Sequence, residues 1–256
     1  MKIATWNVNS LRVRLPHVLD WLSQEQPDIL AVQETKTQDA DFPANVFADN
    51  GYHALFSGQK TYNGVAVFSR NPGSERLTDP DNLDDPQRRI LAASYDRFRI
   101  INLYVPNGSE VGSEKFAYKM DWLAKISEFI RRELERYPHT IVLGDFNIAP
   151  EDADVYDPAL WRDKILCSPS ERAAFQSLLK AGLHDAFRLF EQPESSFSWW
   201  DYRAAGFRRN LGLRIDHILI SSALKPYCTA CRIDKAPRKL EKPSDHTPVL
   251  IELDLK

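Results

Sequence analysis

The sequence has few of the features that mark secreted or membrane proteins. Its 256 residues include three cysteines, Cys167, Cys228 and Cys231, and an odd number argues against a framework of disulfide bonds. No apolar run approaches the roughly 20 residues that a membrane-spanning helix needs, and the N-terminus has no signal-peptide pattern. We therefore expect a cytoplasmic protein with no membrane partner.

Patterns for several other kinds of site are missing as well. Cys228-x-x-Cys231 has no second pair of ligands at zinc spacing, so core or strand thiols are favoured over a zinc or redox site. Neither a Gly-x-Ser-x-Gly element nor a thiol–imidazole pattern indicates a protein nucleophile. The net charge of −3 argues only weakly against nucleic-acid binding, because salt confines each charge to a reach of about 8–10 Å and local basic ridges can persist.

The most informative stretch is Thr140–Pro150, Thr-Ile-Val-Leu-Gly-Asp-Phe-Asn-Ile-Ala-Pro. Its apolar run is typical of a strand buried on both faces. Because side chains alternate in an extended chain, Asp145 and Asn147 should share one side, while Phe146 points into the protein. An Asx-type turn that caps the strand is the simpler interpretation of this motif.

The same construction recurs along the chain, and this favours a functional interpretation. Polar side chains stand where other apolar strands end, at Asn7, Asn9, Glu34, Tyr104, Asn107, Asp216, Asp245 and His246. Four of the collected residues are carboxylates, which are costly to bury without a cation or hydrogen bonds. A hard divalent cation such as Mg²⁺ would compensate them, since it prefers carboxylate and water oxygens.

Strand pairs occur in both halves of the chain, each beside an amphipathic helix. The patterns predict pairs at Tyr52–Ser57 with Gly64–Ser69 and at Ile90–Tyr95 with Phe98–Tyr104. They also predict a long helix over Glu114–Tyr137 and a shorter one after the capping box that starts at Ser168. Since no linker or repeat divides the 256 residues, we expect one α/β domain with two packed sheets and outer helices.

Five motifs resemble, in order and spacing, the exonuclease III family of class II AP endonucleases. They are Trp6-Asn7-Val-Asn9-Ser-Leu-Arg12, Leu30-Ala-Val-Gln33-Glu34-Thr-Lys36, Gly144-Asp-Phe-Asn147, Gly212-Leu-Arg-Ile-Asp216 and Ser244-Asp-His246. The resemblance implies a single domain over residues 1–256, a four-layered α/β sandwich with two mainly antiparallel sheets and helices on the outer faces. It also implies hydrolysis of DNA phosphodiesters with Mg²⁺, for which Mn²⁺ could substitute.

The activities that the resemblance implies are incision at abasic sites, 3′→5′ exonuclease action and removal of 3′-blocking groups. The implied partner is double-stranded DNA with abasic sites, nicks or blocked 3′ ends, and we expect a nucleoid-associated monomer. Two alternatives stay open. One is a related phosphoesterase that acts on inositol phosphates or lipids, and the other is a nucleic-acid-binding regulator without catalysis.

The resemblance assigns roles to the residues at the strand ends. Glu34 would be the main metal ligand, held by Asn7 and Asn9, with Asp245 on the metal side. Asp145, with Asn147 beside it, would orient or deprotonate the attacking water, and His246, oriented by Asp216, would contact the scissile phosphate. Tyr104 and Asn107 would also face the phosphate. Either Asp145 or His246 could be the general base, and Asp145 is favoured because a cationic His246 would better stabilise the transition state.

Substrate choice is predicted to lie outside this cluster. The resemblance places Trp199, Leu213 and Ile215 around a flipped-out sugar and Arg208 and Arg209 on DNA phosphates, whereas a core tryptophan pair beside a solvated basic loop is the alternative. Four further basic residues could contact the backbone, although solvated charge is favoured for each: Arg88, Arg89, Lys115 and Lys119. Cys167 should lie near the sugar pocket, with no role assigned.

Overall fold

The computed structural model describes residues 1–255, and that range contains fourteen strands and five α-helices. The strands are β1 (Lys2–Asn7), β2 (Ile29–Gln33), β3 (His53–Ser57), β4 (Val65–Ser69), β5 (Ser74–Leu77), β6 (Ile90–Tyr95), β7 (Phe98–Tyr104), β8 (Thr140–Asp145), β9 (Leu183–Asp185), β10 (Trp199–Trp200), β11 (Gly212–Leu213), β12 (Asp216–Ser221), β13 (Cys228–Ile233) and β14 (Val249–Leu253). The helices are α1 (Leu11–Glu25), α2 (Ala44–Asp49), α3 (Glu114–Arg136), α4 (Pro158–Trp161) and α5 (Pro169–Lys180).

Twelve of these strands form two six-stranded sheets. The order in the first sheet is β13-β14-β1-β2-β4-β3, and in the second it is β5-β6-β7-β8-β12-β9. Each sheet contains one parallel pair, β1 with β2 and β7 with β8, and its other neighbours are antiparallel. The remaining strands, β10 and β11, form a small hairpin-like pair beside them.

The two sheets pack face to face, and helices cover their outer faces. Buried aliphatic side chains such as Ile3 and Ile251 from the first sheet and Ile100 and Ile218 from the second fill the space between the sheets. The outer face of the first sheet packs on α1 and α2, and that of the second packs on α3 and α5. The four-layered sandwich predicted from the resemblance is therefore confirmed. No helix within residues 1–255 is long and apolar enough to cross a membrane.

The sequence patterns missed two local features. The proline-rich connection before Ile90 contains the edge strand β5, which has a register shift and exposed side chains. The strand expected over residues 213–221 is interrupted between β11 and β12, because the hydroxyl of Ser198 accepts the backbone N–H groups of Ile215 and Asp216, 3.1 and 3.0 Å away. This break lets Arg214 turn into the protein, where it forms ion pairs with Asp154 and Asp185.

Candidate active site

The polar residues at the strand ends converge at one edge of the sandwich. The parallel strands β1 and β2 end there, as do β7 and β8, while β12 and β14 are antiparallel to their neighbours and therefore begin there. Glu34, Asp145 and His246 each present one ligand atom within 4.8 Å of the others. Side chains from both sheets thus meet in one cluster, as the sequence predicted.

Asn7 lies at the centre of this cluster, between the carboxylates of the two sheets. Its amide nitrogen donates to Glu34 Oε1 and to Asp145 Oδ2, and both distances are 2.9 Å. Tyr104 donates its hydroxyl to the same oxygen of Glu34 at 3.0 Å. Burial raises the pKa of Tyr104 well above its usual range, and the charges of Glu34 and Asp145 raise it further, so the phenol keeps the proton it donates.

Asp145 is presented by a turn that combines both interpretations of its motif. Its Oδ1 accepts the backbone N–H of Asn147 at 2.9 Å, which is the Asx-type turn, and Oδ2 faces the cluster. Asn147 adopts a left-handed backbone with φ of 50°, and Phe146 is buried against the helical layer. Gly144 precedes the turn at φ of 142°, where a Cβ would lie 1.9 Å from the carbonyl oxygen of Leu103. The backbone at this strand end therefore requires glycine.

His246 connects Asp145 with Asp216. Its Nδ1 donates to Asp216 Oδ2 at 2.9 Å, and its Nε2 lies 3.8 Å from Asp145 Oδ2. Burial alone lowers the pKa of His246, but the charges of Asp216 and Asp145 outweigh it and raise the pKa to about 10. Burial also raises the pKa of Asp145, against the opposing effect of His246. The imidazole is therefore a cation at neutral pH, fixed by Asp216 as expected.

Asp245, predicted on the metal side, lies beside the cluster. Its carboxylate accepts from Asn9 Nδ2 at 2.9 Å and from Trp199 Nε1 at 3.0 Å. Burial raises the pKa of Asp245, but the positive charge of His246 and these two hydrogen bonds outweigh burial, and the pKa is lowered. Asp245 therefore joins Asn9 to Trp199 at the start of β10.

Lys36 belongs to the site, although the sequence pattern assigned it no role. Its ammonium lies 2.9 Å from Glu34 Oε2 and donates to Asn9 Oδ1 at 2.6 Å. The two-residue spacing from Glu34 could have indicated that both side chains share one side. The carboxylate oxygens of Glu34 and Asp145 face this cluster and suit a hard divalent cation, whereas the protonated imidazole of His246 has no lone pair free to bind one. The Lys36 ammonium bound to Glu34 shows that this carboxylate accepts a positively charged group. The residues present therefore fit a metal ion at this position.

The residues predicted to surround the sugar lie next to His246. Trp199 pairs with Leu213 across β10 and β11 and forms an isolated bridge with His246. Leu213 and Ile215 are buried with Cys167 in one apolar cluster, and Trp199 packs against it while remaining partly exposed. The three residues predicted to surround the sugar therefore lie together, with Leu213 and Ile215 fully buried and Trp199 partly exposed.

Several residues expected to contact DNA are exposed, but only some of them lie at the cluster. Arg208 and Arg209 are exposed on the loop between β10 and β11 and remain free to meet a ligand. Asn107 is exposed as well, and its amide donates to Asn147 Oδ1 at 3.0 Å. Neither loop arginine contacts the cluster in the described part of the chain, so their role stays a prediction.

Two basic residues expected to be solvated are buried, and that expectation was wrong for both. Lys119 is 0% exposed and pairs with Glu171. Arg89 places its guanidinium 4.7 Å from the ring centroid of Tyr104 and donates to the backbone carbonyl of the same residue. Neither the Lys119–Glu171 contact nor the Arg89–Tyr104 contact can be read from local sequence spacing. Each joins two segments that come together only in the folded protein.

A four-layered sandwich with carboxylates and a cationic histidine at one edge defines a metal-dependent phosphoesterase. Residues 4–246 match the Endonuclease/Exonuclease/phosphatase family, and the chain belongs to this family. It is 37% identical to exodeoxyribonuclease III of Haemophilus influenzae over 266 aligned residues, which cover 98% of this chain and 99% of that protein. The resemblance to the exonuclease III group is thereby confirmed.

Two solved structures are similar over their full lengths. The 3′ phosphatase NExo from Neisseria, bound to a product DNA hairpin, is 49% identical with a TM-score of 0.98, and the comparison covers 100% of both chains. An AP endonuclease from Archaeoglobus fulgidus is 37% identical with a TM-score of 0.95 and the same coverage. These neighbours place the chain among nucleases with this fold.

Proposed function

We propose that this chain repairs double-stranded DNA by hydrolysing phosphodiester bonds at abasic sites, at nicks and at 3′ ends that carry blocking groups. The observation that carries the proposal is the convergence of Glu34, Asp145 and His246 within 4.8 Å. The similarity to exodeoxyribonuclease III and to a phosphatase bound to a DNA hairpin supports DNA as the substrate class.

Glu34 would be the main ligand of Mg²⁺, and Mn²⁺ would substitute for it because both ions accept carboxylate and water oxygens. The bound ion would neutralise charge at the scissile phosphate. Asn7 would hold the carboxylates of Glu34 and Asp145 next to each other through its two hydrogen bonds of 2.9 Å. We assign Asp245 to positioning, since its carboxylate binds Asn9 and Trp199.

Asp145 would orient the attacking water and take its proton. His246 is less suited to that task because Asp216 and Asp145 keep it protonated at neutral pH. A cationic imidazole can instead stabilise the negative charge that develops on the phosphoryl oxygens. Tyr104 donates to Glu34, and Asn107 donates to Asn147, so both would help to fix the groups that face the phosphate.

Substrate recognition would rest on the surface next to His246. The partly exposed ring of Trp199, with Leu213 and Ile215 beneath it, would accept an extrahelical sugar. Arg208 and Arg209 would contact backbone phosphates from their exposed loop.

The test is cleavage of three labelled duplexes: one with a single tetrahydrofuran abasic analogue, one with a 3′-phosphate at a nick and one with a recessed 3′ end. Each is incubated with Mg²⁺, with Mn²⁺ and with EDTA, and sphingomyelin and an inositol phosphate are included as rival substrates. We expect metal-dependent cleavage of the DNA alone. Binding without cleavage, or hydrolysis of the lipid or inositol substrates only, would overturn the proposal.

A further inference from the structure

A fully buried lysine lies directly behind the active-site turn. Lys119, on α3, is 0% exposed, and its three ammonium donors have three acceptors. They are Glu171 Oε1 at 2.5 Å, the carbonyl oxygen of Asn147 at 2.7 Å and the carbonyl oxygen of Asn107 at 3.2 Å. Two of the three acceptors thus belong to the backbone of residues at the proposed phosphate site.

Glu171, the partner of Lys119, also holds the backbone of the segment that precedes α5. It is the third residue of α5 and closes the capping box that begins at Ser168, and its carboxylate accepts from the hydroxyl and the backbone N–H of Ser168. The same oxygen that binds Lys119 also accepts the N–H of Leu166 at 3.0 Å. Leu166 has φ of 70° and packs in the same buried apolar cluster as Leu213 and Ile215.

The ion pair therefore links two parts of the site that come from distant segments. On one side, Asn147 and Asn107 are joined by a side-chain hydrogen bond of 3.0 Å, and Asn147 also donates to Asp145. On the other side lies Leu166, in the apolar cluster that contains Leu213 and Ile215. Asn147 and Leu166 both adopt a left-handed backbone conformation, which costs free energy. Such conformations persist where several surrounding contacts stabilise them.

We propose that Lys119 and Glu171 form a positioning pair that fixes the Asn107–Asn147 amides and the Leu166 backbone relative to Asp145. The inference rests on the proposed function, because it concerns how the same site is held in place. A purely structural role is the alternative. Buried ion pairs contribute little net stability compared with a neutral replacement, whereas removing one partner leaves a costly uncompensated charge. Stability and positioning can therefore be separated by experiment.

The experiment compares Lys119→Met, Glu171→Gln and the double variant on the abasic duplex, with Tm measured for each. Lys119→Met alone leaves a buried carboxylate unpaired, so Tm and kcat should both fall. The double variant contains no unpaired buried charge and keeps an amide oxygen for the Leu166 N–H, so it should regain most of the lost Tm. Its kcat should stay about 10- to 100-fold below the wild-type value, because the two asparagine carbonyls still lack their donor.

Two further variants complete the design. Lys125→Met removes one partner of the exposed Lys125–Asp121 pair on the same helix and should leave kcat unchanged. Lys119→Arg retains a positive charge and N–H donors, so its kcat should exceed that of Lys119→Met even if the Tm values of the two are equal.

The proposal is overturned if the double variant recovers wild-type kcat together with Tm, or if Lys119→Arg and Lys119→Met have equal kcat at equal Tm. Wild-type protein that cleaves none of the DNA substrates would instead refute the proposed function, so the two failures are distinguishable. KM should change much less than kcat, because no substrate contact is removed.

Discussion

Replacing Asp216 with Asn tests whether His246 acts as a cation. The two side chains are buried, and the imidazole Nδ1 lies 2.9 and 3.1 Å from the carboxylate oxygens of Asp216. Asparagine retains the shape and one oxygen acceptor but removes the negative charge. The hydrogen bond can therefore survive while the electrostatic support of the imidazolium is lost.

The magnitude follows from the pKa of His246. Its rise from 6.5 to about 10 corresponds to roughly 5 kcal/mol in favour of the charged imidazole, and Asp216 is the largest favourable contribution to it. Without that charge, burial drives the pKa of His246 down towards or below its ordinary value. We expect kcat at pH 8 to fall by about 10²–10³, the usual effect of losing one preorganised charge-stabilising group.

The assay is a pH profile of kcat on the abasic duplex at saturating Mg²⁺. A raised pKa means that the cation is present below that pKa and is lost as the pH rises through it. His246 should therefore give the wild-type kcat profile an alkaline limb, at a pH below about 10 because a nearby divalent cation disfavours a second positive charge. Protonation of Asp145 gives the profile a separate acidic limb. In Asp216→Asn the alkaline decline should move towards neutral pH. A profile that keeps its alkaline limb in place, or an unchanged kcat, would refute the assignment of His246 as a cation.

Three other predictions follow from the same contacts. Asp145→Ala should lower kcat by about 10³ or more, and near-wild-type turnover would remove Asp145 from the catalytic set. Arg208→Ala should weaken duplex binding modestly and reduce the slope of log K against log salt by about 0.9; an unchanged slope in a binding titration would mean that Arg208 is only a solvated charge. Because burial raises the pKa of Asp145, the metal-free protein should lose stability as the pH rises through that pKa. Mg²⁺ should therefore raise Tm more at pH 8 than at pH 5, and equal shifts in a melting assay would contradict this.

The strand ends could be predicted from the sequence because two simple rules coincide there. An apolar run identifies a core strand, and a polar residue placed directly after it must lie at the edge of that sheet. Glu34 and Asp145 were found in this way, and the structure places both where expected. The same pattern had collected Asp216 and His246, and the resemblance then added their pairing, a hydrogen bond that no local pattern contains.

Contacts between distant segments explain what the sequence patterns missed. Lys119 sits at a helix position that would equally suit a solvated charge, and only the packing of α3 against α5 brings it to Glu171. Arg214 could have paired with its near neighbour Asp216, yet it binds Asp154 and Asp185 and leaves Asp216 to His246. The sequence shows that a charged residue beside apolar ones needs an oppositely charged partner. Only the fold shows which partner lies close enough to form the ion pair.

The charges at the edge of the sandwich explain why a divalent cation belongs there. Four carboxylates, those of Glu34, Asp145, Asp216 and Asp245, share this edge with two positive groups, Lys36 and His246. Two negative charges are left over, and a DNA phosphate brings another, so without a further cation the site would repel its own substrate. A bound Mg²⁺ offsets the surplus, and this makes metal dependence a consequence of charge balance as well as of ligand geometry.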